Sequence, residues 1–152
     1  VAEEYYLYKL FNDKFQVVLP SQPQVFTKNP LTYNAKDSTG KIAFSIQSFP
    51  TGQDYDIGKF PQSVKKELDN SIEVATKSVG GTLISFSSVL NSSDNVYMAI
   101  YSFKGREQNV WMYHFTKYII YRRTLYKWTV SSYNYEVLNI FNDYQNNVIV
   151  LK

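Results

Sequence analysis

The stretch from Asn95 to Ser132 constrains this chain most: three aromatic-rich runs, Val96–Phe103, Val110–Tyr121 and Leu125–Ser132, follow one another with only short polar breaks. Tyrosine, tryptophan, phenylalanine and β-branched residues fit a pleated, half-buried surface. The breaks Lys104-Gly105-Arg106-Glu107 and Tyr121-Arg122-Arg123-Thr124 have the length of hairpin connections. The pattern predicts an antiparallel β-meander. It says much about fold and little about activity.

Shorter strands are predicted upstream. Tyr5–Phe11 and Phe15–Leu19 flank Asn12-Asp13-Lys14, a three-residue hairpin loop, and Pro20 closes the second strand. After a connection punctuated by Pro20, Pro23 and Pro30, the runs Leu31–Ala35 and Lys41–Phe49 surround the turn formers of Lys36–Gly40. In the second run Ile42, Phe44 and Ile46 alternate with polar or small residues, the period of a strand with one apolar face. Pro50–Lys59 has no period and is expected to be a mobile loop.

A long helix is expected over 61–79, with Pro61 in its first turn and Val64, Leu68, Ile72, Ala75 and Val79 at steps of three and four. Gly80-Gly81 ends it. Lys65 with Asp69 and Glu73 with Lys77 stand at the i, i+4 spacing of helical ion pairs, each contributing only about 0.2–0.5 kcal/mol, so the apolar stripe is what holds the helix down. Leu83–Leu90 forms a further strand before the turn-rich Asn91–Asn95. A second helix is expected over 135–145, from the spacing of Val137, Leu138, Ile140, Phe141 and Tyr144, before the apolar run Val148–Leu151. The expected architecture is one α+β domain over 1–152, a mainly antiparallel sheet sandwiched by helices.

Composition narrows the chemistry. A chain of 152 residues with 44% hydrophobic and 19% charged residues forms one globular core and is too short for two ordinary domains. Aromatic residues reach 17%, with 14 tyrosines, a residue that buries its ring and keeps its hydroxyl wet at half-exposed sheets and interfaces alike. With no cysteine, disulfides, thiolate metal ligands and a cysteine nucleophile are excluded. No run approaches the roughly 18 apolar residues of a membrane-spanning helix. The chain begins Val1-Ala2-Glu3-Glu4 with no initiator methionine, which fits either a removed leader or a trimmed boundary.

The net charge of +3 is modest, but no acidic residue falls between Glu107 and Glu136, where Lys117, Arg122, Arg123 and Lys127 all lie. Arginines beside tyrosines at a hairpin tip can pair with carboxylates or phosphates while the rings supply contact area. A solvated strand edge that uses charge to prevent edge-to-edge pairing accounts for the same residues. His114, the one histidine, has no nucleophile or orienting acid near it in sequence. Asp54 and Asp56 in the loop, with Glu67 and Asp69 on the helix, match neither an EF-hand nor a glycosidase spacing. Asp37-Ser38-Thr39-Gly40 is a turn with an inserted residue relative to an aspartic-protease triplet. Gly80-Gly81 follows a helix where a phosphate loop precedes one. Asn91-Ser92-Ser93 has the form of a glycosylation acceptor.

Several segments together resemble the PsbP-like family, named after an extrinsic photosystem II subunit. Phe15-Gln-Val-Val-Leu-Pro20 with Pro23 is similar to its opening strand, and Leu31-Thr-Tyr33 through Gly40 to Phe44-Ser-Ile46 to its second hairpin. The helix ending in Val79-Gly80-Gly81-Thr-Leu83, the hairpin Tyr118–Tyr126 and the Ile140-Phe141 helix resemble its later elements. The resemblance covers most of 11–149 and implies an antiparallel sheet between helices. It carries over no catalytic set, because proteins of this shape include a photosynthetic accessory subunit, a nuclear transport factor that binds a small GTPase, and bacterial exported proteins or lipoproteins.

The expectation is therefore a non-enzymatic accessory or interaction module in an exported or envelope setting, with neither cofactor nor metal. Its partner is expected to be another protein, met through Arg122, Arg123, Tyr121, Tyr126, Lys117 and Lys127. An anionic membrane surface and nucleic acid are the other candidates for the same residues. The competing class is a small-ligand binder or weak enzyme with a pocket beneath the 50–59 loop.

Overall fold

The three aromatic runs form strands of 12, 12 and 9 residues. In a computed structural model that describes residues 3–55, 61–78, 80–87 and 96–152, the chain order is β1 (Tyr6–Leu10), β2 (Phe15–Leu19), β3 (Gln24–Lys28), β4 (Leu31–Lys36), β5 (Ile42–Pro50), α1 (Pro61–Ser78), β6 (Thr82–Ser87), β7 (Val96–Glu107), β8 (Val110–Tyr121), β9 (Thr124–Ser132), α2 (Val137–Tyr144), a 3-10 turn (Gln145–Asn147) and β10 (Ile149–Val150). Seven strands make one sheet in the order β3-β4-β5-β9-β8-β7-β6. A second sheet, β1-β2-β10, has three. Every pairing is antiparallel, so the architecture is α+β with mainly antiparallel sheet.

Strand alternation gives the large sheet two unlike faces. One carries Phe44, Ile46, Phe115, Ile119, Tyr126, Trp128 and Val130, all in a single cluster with residues of β2 and α2. Phe15 stacks on Tyr126 at 4.7 Å between ring centroids, and Phe141 stacks on Trp128 at 5.3 Å. The small sheet and α2 thus cover this face by burying aromatic rings, at about 1.5–3 kcal/mol for each large side chain. On the other face Val64, Leu68 and Ile72 of α1 meet Tyr97, Ala99, Tyr101, Tyr118, Ile120 and Leu125. The predicted pairs Lys65–Asp69 and Glu73–Lys77 form on the outer side of α1.

Helix α1 ends as its glycines require. Gly81 N–H donates to Thr76 O at 2.9 Å and Gly80 N–H to Lys77 O at 3.0 Å, the paired bonds of a Schellman motif, with Gly80 at φ +59°. Gly81 has a different reason to be glycine. A Cβ there would stand 2.3 Å from the backbone oxygen of Lys104, where α1 hands the chain to the sheet.

Several boundaries differ from the sequence expectation. The first hairpin of the meander turns at Gln108-Asn109, with φ +51° and +66°, and Glu107 pairs with Val110; Lys104–Glu107 is strand, not connection. Two consecutive positive φ values match the right-handed twist of long strands, and that twist carries the pairing past the polar residues. Strand β3 lies within the proline-punctuated segment: all five of its residues are exposed at a sheet edge, so no apolar alternation marks it. The loop between β1 and β2 is Phe11–Lys14, with Phe11, Asn12 and Asp13 all at positive φ. Helix α2 runs 137–144, shorter at both ends than 135–145. Residue 79 of the expected long helix, residues 88–90 of the expected strand, the Asn91-Ser92-Ser93 acceptor and positions 56–59 of the loop lie outside the described residues.

Gly81→Ala is expected to lower stability by about 2–3 kcal/mol, because backbone must move to admit the methyl group. Gly80→Ala should cost only about 1 kcal/mol of left-handed strain. Urea melts of the two variants check the order, which reverses if the Schellman turn and not the close approach sets the requirement.

Candidate partner surface and flanking clefts

The residues expected to contact a partner do not form one surface. Arg122 and Arg123 make the two-residue turn between β8 and β9, with Arg122 at φ +55° and its guanidinium 5.4 Å from the Tyr121 ring centroid. The backbone oxygens of Arg122 and Arg123 accept from Tyr55 N–H at 3.0 Å and Thr51 N–H at 2.8 Å, and Arg123 Nε lies 3.7 Å from Asp54 Oδ2. Segment 51–55 is thus fastened to the turn, with Tyr55 buried in the α1 cluster. That corrects the expectation of a mobile loop for its described part.

Tyr126 is 4% exposed and stacked on Phe15, so it is core and not a partner contact. Lys117 is likewise 4% exposed, and its Nζ donates to Gln145 O at 2.7 Å, tethering β8 to the turn after α2. Burial lowers its pKa to about 8. Lys127 is half-buried on the opposite, α1-facing side, its Nζ 5.8 Å from the Tyr118 ring centroid. The physical reason is alternation. Neighbours along a strand buried on both faces go to opposite sides, so a basic cluster in sequence is dispersed in space.

A different basic and aromatic surface is assembled nearby. Pairing of β7 with β9's neighbour β8 continues to Glu107↔Val110, whereas β9 pairs with β8 only as far as Tyr113 and β6 with β7 only as far as Lys104. Residues 105–112 therefore extend past both flanking strands as a two-stranded ribbon. On it Trp111 is 38% exposed, with Lys104 Nζ 4.6 Å and the Arg106 guanidinium 5.0 Å from its ring centroid. Tyr113 follows on the same face and meets exposed Tyr135 edge-on at 5.2 Å. Beside Tyr135 a crevice of about 160 Å³ opens between Ile100, Leu138 and Phe141. The signal was present in sequence as Lys104, Arg106, Trp111 and Tyr113, but assigning 104–107 to a connection hid the shared face.

The α1-facing side also carries a buried polar band. His114 Nδ1 lies 2.7 Å from Ser131 Oγ, and Thr116 Oγ1 lies 3.0 Å from Thr129 Oγ1. His114 stacks on Phe103, and its Nε2 has no hydrogen-bond partner among the described residues. Burial, and secondarily the charge of Lys127, lowers its pKa to about 4, so the ring is neutral at pH 7. Three clefts lined by described residues open on this side. The largest, about 670 Å³, is a trough floored by β4 and β5 and walled by Phe26, with Thr32, Asn34, Ser45 and Gln47 lining it. A cleft of about 420 Å³ runs between α1 and β9, and one of about 270 Å³ lies beneath the described part of the 50–59 loop, between Tyr55 and Lys66. His114 lines none of the three. Among the described residues, no three of His, Asp and Glu gather as a metal site, and no helix is long and apolar enough to cross a membrane.

No family model matches this chain. No curated protein matches it either. Among solved structures it is similar to a Pseudomonas aeruginosa protein of unknown function, PA94, described as a candidate regulator, at 13% identity and a TM-score of 0.50. The alignment covers 91% of this chain and 89% of that one. The likeness is one of fold.

A histidine held at about 4 in the native state and near 6.5 when unfolded stabilises the protein above pH 6.5 and loses that contribution as pH falls toward 4. Between pH 7 and 4.5 it accounts for a loss of about 2 kcal/mol. Denaturant melts of the native protein and His114→Gln should differ in slope over this range, the variant being flatter; equal slopes would place the histidine in contact with water.

Proposed function

We propose that this chain is a non-enzymatic interaction module of PsbP-like form, its large sheet sandwiched between helices, and that it meets an acidic protein partner through the ribbon at 104–113 and Tyr135. The observation that carries this reading is Trp111, exposed at the end of the protein between two cations. Tryptophan, tyrosine and arginine are the side chains that dominate binding energy at protein interfaces. Lys104 and Arg106 hold the indole in place, and their charge favours a partner that presents carboxylates around an apolar recess. The crevice beside Tyr135 offers the partner a place to insert a side chain in return. The sandwich and the family form are supported by α1 and α2 contributing to clusters on opposite faces of one sheet. Arg122 and Arg123 also stand at the surface, but their turn is occupied by the protein's own 51–55 segment.

Affinity capture with three baits tests the proposal: the native chain, Trp111→Ala/Arg106→Glu, and Arg122→Glu/Arg123→Glu. Removing a tryptophan anchor costs about 2 kcal/mol or more, so the first variant should lose the partner by at least about thirtyfold while the second retains it. The opposite result would move the contact to the β8–β9 turn. Retention by both variants would end the proposal. Capture of nucleic acid with a steep salt dependence would replace the protein partner.

A further inference from the structure

The cleft between α1 and β9 is lined by an ammonium that has no partner among the described residues. Its walls are Phe49, Leu125, Val74 and Ala75, and Tyr118 and Lys127 line it from the sheet. Tyr118 is 1% exposed, and its hydroxyl, without a hydrogen-bond partner among the described residues, is closed to solvent. Among the described residues Lys127 Nζ forms neither an ion pair nor a hydrogen bond, and it lies 5.8 Å from the Tyr118 ring centroid. A half-buried ammonium with no ion-pair partner carries an uncompensated desolvation cost.

A carboxylate meets this requirement, because its oxygens accept from an ammonium and its charge neutralises it. We propose that this cleft binds a small monocarboxylic acid with an apolar body, the carboxylate held by Lys127 and the body lying against Phe49, Leu125, Val74 and Ala75. At about 420 Å³ the cleft is in the range of small-molecule sites, and its lining is mostly apolar with a few polar groups, as such sites are. Val74 is 69% exposed on α1, an apolar side chain that the fold itself leaves in water at the cleft wall. Glu67 lines both this cleft and the one beneath the loop, so its charge disfavours a second carboxylate at that end and selects one acid group over two. Burial lowers the Lys127 pKa to about 8, which leaves the amine mainly protonated at pH 7.

Calorimetric titration at pH 7 with octanoate, and with octanol as the uncharged counterpart, tests this site. Octanoate should bind at least tenfold more tightly than octanol, and Lys127→Met should remove that difference. Val74→Glu, at an exposed position that leaves packing intact, should weaken octanoate at least tenfold by placing an anion on the wall. Circular dichroism confirms that each variant is folded, and Val74→Glu alone decides the matter if Lys127→Met is not. Absence of octanoate binding, equal binding of acid and alcohol, or unchanged affinity in the folded variants would each overturn the proposal. The Trp111 surface is untouched by these changes, so the outcome is independent of partner binding.

Discussion

The whole protein depends on the burial of β8 and β9 on both faces. From His114 to Ile120 every residue of β8 is buried, and so are Trp128 to Ser132 of β9. A strand pair with this property cannot sit at the surface of a single-layered meander; each face needs its own cover. The hairpin β1–β2, strand β10 and α2 are gathered to one face by the rings of Trp128, Tyr126 and Phe115, and α1 to the other by Tyr97, Tyr101 and Ile120. Elements from both ends of the chain thus converge on two central strands. Lys117 reinforces the closure, since its ammonium reaches through the cover to the carbonyl of Gln145.

The two covers are unequal, and the clefts on the second face follow from that difference. A three-stranded sheet and a helix fill the first face with interlocking rings. One helix cannot span seven strands, so the second face is apolar only beneath α1 and turns polar toward β4 and β5, where Gln47 bonds Thr32 and the largest trough lies. The cleft with Lys127 runs along the boundary between these regions. The ribbon at 105–112 arises differently: β7 and β8 are each 12 residues long, β6 and β9 are shorter, and the surplus projects. Trp111 is exposed because no strand is left to cover it.

The sequence made the strands of the meander and the long helix legible because their signals are local. Alternation at Ile42, Phe44 and Ile46, the stripe from Val64 to Ala75 and the glycine pair at 80–81 each specify one element from neighbouring residues. Strand β3 was not legible, since a fully exposed edge strand lacks an inward face and Val25 and Phe26 point to solvent. The candidate site was legible only in part. Basic and aromatic residues do mark it, but a run such as 117–128 gives no clue that Tyr126 and Lys117 face one way and Lys127 the other until both faces are known to be covered. A one-residue change of side decides between core and contact, and the turn at Gln108-Asn109, which aligns Arg106 with Trp111, has no glycine to announce it.

Site-specific photo-crosslinking in the source cell distinguishes contact through the projecting ribbon from contact through the β8–β9 turn. A benzophenone side chain is placed at position 110 in one version of the chain and at position 122 in another. Both positions are exposed, so neither substitution disturbs the core. Contact through the ribbon gives a discrete protein adduct from position 110 and none from position 122. An adduct formed only from position 122, or no adduct from position 110, would contradict it.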